Sequence, residues 1–208
     1  MTSRSAFAAL AAVVHRESRI RATNATFIFW DLLSPLAYLL VFGVGIDAAL
    51  GPPAATGGVD YNAFFLGGVL GMASFTIASN TAWSFFMDRD NGIFYEMLTY
   101  PLTRSQYLLG KVLFNVGVAL VQAAVAVGLG ALLLDIPIVW THVPLLVAAV
   151  VVGTAGWFFF YAIFALSIRR NDAFNTVTSI FYFVFLFASS MFYPLDPLPH
   201  WFRVVALA

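Results

Sequence analysis

Cysteine is absent from the 208 residues, so the chain has no disulfide framework, no thiolate nucleophile and no thiolate metal site. Histidine is scarce: His15, His142 and His200 lie in three separate segments, too dispersed for an imidazole cluster. Charge is scarce as well. Lys and Arg number 10 and Asp and Glu number 10, together 10% of the residues, against roughly 25% in an ordinary soluble domain. No basic patch interleaved with aromatics points to nucleic acid. What fills the space is apolar: 62% hydrophobic and 17% aromatic residues, with a mean hydropathy of +0.90.

The apolar residues fall into five long stretches: Phe27 to Ile46, Asn62 to Phe86, Tyr107 to Leu134, Val143 to Leu166 and Phe174 to Tyr193. A hydrocarbon layer about 30 Å thick needs about 20 apolar residues in a helix. The spacing therefore predicts an all-α, polytopic membrane helix bundle of five spans. Basic residues divide the loops. Arg4, Arg16, Arg19 and Arg21 precede the first span, Arg89, Arg104 and Lys111 flank the loop before the third, and Arg169 and Arg170 precede the fifth; the first and third loops contain none. The positive-inside rule then puts the N-terminus and the second and fourth loops in the cytoplasm, in a cell inner (plasma) membrane.

Before the first span, Phe7, Leu10 and Val14 recur at helical spacing, with Arg16 and Arg19 following. This is read as an interfacial helix whose apolar side meets lipid and whose arginines meet water or lipid phosphate. At the other end, Pro194, Pro197 and Pro199 stop the fifth span, and Trp201 to Leu207 resume an apolar pattern too short to cross, read as amphipathic or re-entrant at the outer surface.

The second loop, Met87 to Arg104, is the densest polar segment. Phe94, Met97 and Leu98 share one helical face and Pro101 terminates the pattern. Two readings stay open. The segment is a connector lying on the headgroups, or a short helix whose apolar residues enter a groove on a partner while Asp88, Arg89, Asp90 and Glu96 form a charged rim.

Gly92-Ile-Phe-Tyr-Glu96-Met-Leu-Thr-Tyr-Pro101-Leu-Thr-Arg-Ser-Gln-Tyr-Leu-Leu-Gly110-Lys111 resembles the segment that opens the third span in ABC-2 type transporter permeases. Ser190-Met-Phe-Tyr-Pro-Leu-Asp-Pro-Leu-Pro-His-Trp201 is similar to that family's segment after the fifth span, which forms short re-entrant helices on the outer face. The resemblance covers essentially the whole chain as one transmembrane domain, 1–208. It implies six spans, cytoplasmic termini, and two permease subunits, as a homo- or heterodimer, joined to two ABC ATPase subunits that bind ATP and Mg²⁺. The sixth span is missing, so the chain is expected to stop short of it. The family's ATPase-coupling helix maps onto Asn91 to Tyr100, making Asp90, Asn91, Gly92, Phe94, Glu96, Met97, Leu98 and Pro101 the candidate coupling residues. The implied activity is export of an amphipathic, lipid-linked or drug-like molecule, as in multidrug or polysaccharide export.

The expectation for this chain itself is no catalysis and no bound cofactor. A phosphate-binding loop needs G-x-x-x-x-G-K-[ST]; Gly110-Lys111 is followed by Val112 and preceded five residues earlier by Ser105. A membrane-embedded lipid enzyme would need converging acids, bases or metal ligands, which Asp88-Arg89-Asp90 and Arg169-Arg170-Asn171-Asp172 do not supply. A non-transporting assembly or immunity factor is the third reading. No span carries an Asp, Glu, Lys or Arg near its middle, which argues against an ion-coupled carrier; Asp31, near the end of span one, fits a helix cap or a snorkelling group. Gly67, Gly71 and Ser74 in span two and Ala149, Gly153 and Gly156 in span four offer small-residue faces for close helix packing. Asn80, Thr76 and Ser79 in span two and Asn115 and Gln122 in span three need hydrogen-bond partners, supplied by neighbouring helices or, as the minority reading, along a substrate path.

Overall fold

The computed structural model describes residues 3–43, 45 and 61–188. Among these the chain is helical, with no strand. The expectations for the first outer loop, the tail from Pro194 and the side chain of Asp31 fall outside the described residues.

Helix α1 runs Ser3–Ala22. It ends where the Thr23 hydroxyl donates back to the Arg19 and Ile20 carbonyls at 3.1 and 2.9 Å, the local competition by which a short hydroxyl side chain unseats the helical ladder. Helix α2, Ala25–Tyr38, carries Pro35 internally and widens into a π turn at Leu39–Gly43, as expected where a residue without an N–H interrupts the ladder. Helices α3, Tyr61–Asp90, and α5, Arg104–Leu133, each have 30 residues, about 45 Å at 1.5 Å per residue. Both exceed the roughly 30 Å hydrocarbon layer, so their ends stand in the headgroup region or beyond it. The short α4, Ile93–Met97, sits between them. Helix α6, Val143–Ser167, opens with a proline in its first turn, where the missing N–H costs nothing. Helix α7 is Asn171–Ala188.

Helix α3, α5 and the segment Trp140–Ser167 that contains α6 are long and apolar enough to cross a membrane. The chain is an integral membrane protein. The spans expected at Phe27 to Ile46 and Phe174 to Tyr193 each run past the described residues.

Helix α3 is the hub. It packs most extensively on α6 and also meets α5, while α1 lies against α5. Buried residues form two clusters. One, around Leu39, Tyr61, Phe65, Leu66 and Ala123, joins the π turn to α3 and α5. The other joins α3, α5, α6 and α7 through Phe75, Phe85, Phe86, Tyr107, Phe158 and Phe174. Phe75 is its centre, with ring centroids of Trp157, Tyr161 and Phe185 at 4.9, 5.4 and 5.6 Å in edge-on geometry, the arrangement ring quadrupoles favour. Of the described phenylalanines after Ile180, Phe181 and Phe185 join this cluster, whereas Phe183 and Phe187 are exposed.

The helices that carry the small-residue faces, α3 and α6, make the most extensive contact among the described residues, with a local gap inside it. Gly67, Gly71, Ser74, Ala149 and Gly153 line one gap of about 240 Å³ between α3 and α6. A Cβ at Gly67, Gly153 or Gly156 would meet nothing within 4 Å. Leu70, Leu146 and Trp157 border the same gap. The tightest glycine contact between helices is at Gly110, where an added Cβ would lie 2.6 Å from Val13 Cβ. Helix α1 can seat on α5 only because that side chain is absent.

Candidate functional site

The polar loop between α3 and α5 is built by three local rules. Helix α3 stops at an Asn91–Gly92 turn, with Asn91 N–H on the Met87 carbonyl at 2.9 Å and Gly92 at φ 78°, a left-handed conformation that glycine adopts without steric cost. One and a half turns of α4 follow. Pro101 then prevents continuation, and α5 starts from a reciprocal cap: Gln106 N–H donates to Thr103 Oγ1 at 3.2 Å and Thr103 N–H to Gln106 Oε1 at 2.9 Å. That Thr-x-x-Gln pattern is a capping box, legible from sequence alone.

The apolar face of α4 points into its own bundle. Phe94 is only 7% exposed, and its ring meets Phe85 at 5.5 Å and Tyr107 at 5.1 Å; Met97 and Leu98 pack on the same cluster. The picture of Phe94, Met97 and Leu98 as knobs for a partner therefore gives way to one in which they anchor α4 to α3 and α5. The residues left outward are Tyr95, 60% exposed, with Glu96, Thr99, Tyr100 and Pro101. Asn91 and Asp90 are exposed beside them.

Two members of the expected charged rim also turn inward. Arg89 donates to the Ala165 carbonyl and, at 2.6 Å, to the Ile168 carbonyl, and its guanidinium lies 5.0 Å from the Phe86 ring centroid. It thus caps the last turn of α6, where carbonyls lack helical partners and a cation is favoured.

Asp88 lies at the centre of a buried ion cluster drawn from three helices. Arg16 of α1 grips it through two bonds of 2.7 and 3.2 Å, Lys111 Nζ of α5 lies at 2.8 Å, and the Tyr107 hydroxyl donates to it. Glu17 closes the set, 3.0 Å from Lys111 and 2.7 Å from Arg16. Lys111, the chain's only lysine, is 0% exposed and also donates to Ser84 Oγ at 2.9 Å. Two cations face two carboxylates, so the cluster is neutral. Burial alone would pull the Arg16 guanidinium down, but Asp88 and Glu17 raise it on balance. Arg16, partly exposed, is therefore engaged by carboxylates of its own bundle, where its spacing suggested water or lipid phosphate; Arg19 is exposed. Neutral, multiply bonded clusters of this kind are tolerated in a low dielectric because each charge is paired.

The remaining candidates are dispersed. Asn80 lines a small polar niche of about 130 Å³ with Glu17, Thr81, Ser84 and Asn115. Gln122 is buried and lines a separate cavity between α1 and α5. Thr76, Thr81 and Asn115 bond to carbonyls four residues back in their own helices, at 2.9, 2.7 and 2.9 Å, so they are satisfied without crossing to a neighbour. Among the described residues no group of His, Asp and Glu could hold a metal ion.

What the arrangement can do is mechanical. Helix α4 is packed through the Phe94 ring onto α3 and α5, and the end of α3 that leads into it is tied through Asp88 to α1 and α5. Residues 8–208 match the family described as "ABC-2 type transporter". The chain is 23% identical over 176 residues to "Putative transport permease ycf38" of Porphyra purpurea, and by the same measure to the protein of that name in Pyropia yezoensis. Those matches cover 84% of this chain and 60% of each relative's length.

Proposed function

The chain belongs to the ABC-2 type transporter family, and from that premise we propose that it is the transmembrane permease subunit of an ATP-driven exporter. It pairs with a second permease subunit and with ABC ATPase subunits, which bind ATP and Mg²⁺ and do the hydrolysis. The N-terminus and the α3–α5 loop face the cytoplasm, in keeping with the distribution of basic residues. The cargo is an amphipathic, lipid-linked or drug-like molecule.

The observation that carries this reading is the two-sidedness of α4: Phe94 is locked into the bundle while Tyr95 and Glu96 stand out from it. An ATPase that closes on ATP pushes on Tyr95, Glu96 and Tyr100. The push passes through Phe94 to Phe85 and Tyr107, and from Asp88 through Arg16 and Lys111 to α1 and α5. Packed helices shift as rigid bodies under such a load. The coupling face is thus Asp90, Asn91, Tyr95, Glu96, Tyr100 and Pro101, with Phe94, Met97 and Leu98 as its root. Permeation and energy transduction are divided between subunits, so no residue here needs to be a catalyst.

Co-purification tests it. With an ABC ATPase subunit co-expressed, the intact chain is expected to bring that subunit through affinity capture in near-stoichiometric amount, and a chain with 91–100 replaced by a Gly/Ser linker to lose it. Equal capture by both forms, or capture by neither, contradicts the reading.

A further inference from the structure

Trp83, Phe86 and Arg89 follow one another at three-residue steps near the end of α3, the spacing that lines side chains up along a helix. All three hold the turn between α6 and α7. The Trp83 indole N–H donates to Asn171 Oδ1 at 3.3 Å. The Phe86 ring stacks on Phe174, centroids 5.0 Å apart and planes 14° from parallel, and Arg89 donates to the Ala165 and Ile168 carbonyls. Residues 169–172 are thereby tied to the same end of α3 that leads into α4. They face outward all the same: Arg169, Arg170, Asn171 and Asp172 are exposed. The Arg170–Asp172 pair is loose, 3.8 Å long with side chains 82% and 88% exposed.

We propose that the α6–α7 turn is a second contact for the ATPase subunit, with Arg169 and Arg170 meeting an acidic patch on it. The inference rests on the transport reading above and adds a second point of attachment, together with the sign of the surface that meets it. Two observations select this occupant over lipid headgroups. The first is height. Counted from Tyr61, a hydrocarbon layer about 30 Å thick takes about 20 residues of α3. The remaining stretch to Asp90 extends about 15 Å on the cytoplasmic side, where headgroups occupy only about 5–7 Å. Arg89 holds Ile168 at the end of that extension, so the turn lies level with the start of the α4 loop and clear of the headgroups. The second is charge. From Asp90 to Thr103 the chain has two acids, Asp90 and Glu96, both exposed, and no Lys or Arg. The turn beside it has two arginines and one acid, Asp172. A partner docked on α4 must therefore answer with the opposite order of charge, basic against Asp90 and Glu96 and acidic against Arg169 and Arg170. Such a pattern fixes orientation and steers encounter more than it adds affinity. A load on the turn then reaches α3 through Arg89, as a load on α4 reaches it through Phe94.

The test places single thiols in the cysteine-free chain: Ala173→Cys beside the turn and Glu96→Cys on α4, both at exposed positions. Inverted vesicles are treated with a membrane-impermeant maleimide, with and without the ABC ATPase subunit that affinity capture recovers with the chain. Both thiols are expected to react when the ATPase is absent and to be protected when it is bound. Arg169→Gln with Arg170→Gln should lower capture of the ATPase about fivefold at physiological salt, a factor of about two for each exposed pair, while Arg169→Lys with Arg170→Lys keeps most of it. Protection at Glu96→Cys with none at Ala173→Cys overturns the proposal and leaves the transport reading standing. An Ala173→Cys thiol that stays unlabelled without the ATPase also overturns it, in favour of a turn sunk among the headgroups. Capture that survives the loss of both arginines unchanged does the same. Absence of protection at both thiols is the distinct result that removes the transport reading, and this inference with it.

Discussion

Lys111→Met is expected to cost about 3–5 kcal/mol of stability, the usual consequence of removing one partner from a buried ion pair and stranding the others. Lys111 has no contact with water, and its ammonium is shared between Glu17 at 3.0 Å and Asp88 at 2.8 Å. Without it, Arg16 alone faces two carboxylates from which water is excluded. The Arg16–Asp88 pair keeps its two bonds, so Glu17 bears most of the loss. A second variant separates charge from packing. Glu17→Gln with Lys111→Met removes one charge of each sign, keeps the Arg16–Asp88 pair, and should recover more than half of the lost stability. Thermal unfolding of the detergent-solubilised chain reads both. A single variant as stable as the parent would mean that the cluster is hydrated and does not bind α1 to the bundle.

The second large effect separates the two faces of α4. Tyr95→Ala with Glu96→Arg is expected to leave the melting temperature unchanged, since both side chains lie outside the core, while permease-dependent stimulation of ATP hydrolysis falls on the order of tenfold. A truncated tyrosine and a reversed charge at the centre of a docked patch together cost at least ~1.4 kcal/mol of interface energy, which is that factor. Phe94→Ala should do the reverse first: it removes a ring packed against Phe85 and Tyr107 and destabilises the fold by about 3–5 kcal/mol. If Tyr95 and Glu96 variants melted early, or Phe94→Ala melted normally, the two faces would have been assigned the wrong way round.

Hydropathy and turn chemistry carry far in this chain. The expected spans at Asn62 to Phe86, Tyr107 to Leu134 and Val143 to Leu166 lie on α3, α5 and α6, because a run of about 20 apolar residues has few alternatives to a crossing helix. The existence of a short helix over Phe94, Met97 and Leu98 was legible too. Its direction was not. Five residues have an apolar face whether that face meets their own subunit or another, and only the rings of Phe85 and Tyr107 decide the matter.

The ion cluster was illegible for a different reason. Glu17, Asp88 and Lys111 lie in three separate segments, and no spacing rule connects them. A signal existed nonetheless: the only lysine in the chain stands at the start of an apolar run, where it must find a carboxylate or reach water. Arg16 and Arg19, three residues apart, lay on nearly the same side of α1, but one is held by Asp88 and the other is exposed. The small-residue rule placed close packing between spans two and four, and α3 and α6 do make the most extensive helix contact among the described residues, whereas the close approach of α1 to α5 at Gly110 was not among its candidates.

The central claim is that the loop holding α4 faces the cytoplasm and receives the ATPase. Because the chain has no cysteine, Glu96→Cys supplies a single thiol at an exposed position. It can be probed with a membrane-impermeant maleimide in right-side-out and inverted vesicles, with and without the ATPase subunit. The account predicts labelling in inverted vesicles only, and protection there when the ATPase is bound. Labelling from the outer side, or labelling that the ATPase does not diminish, contradicts it.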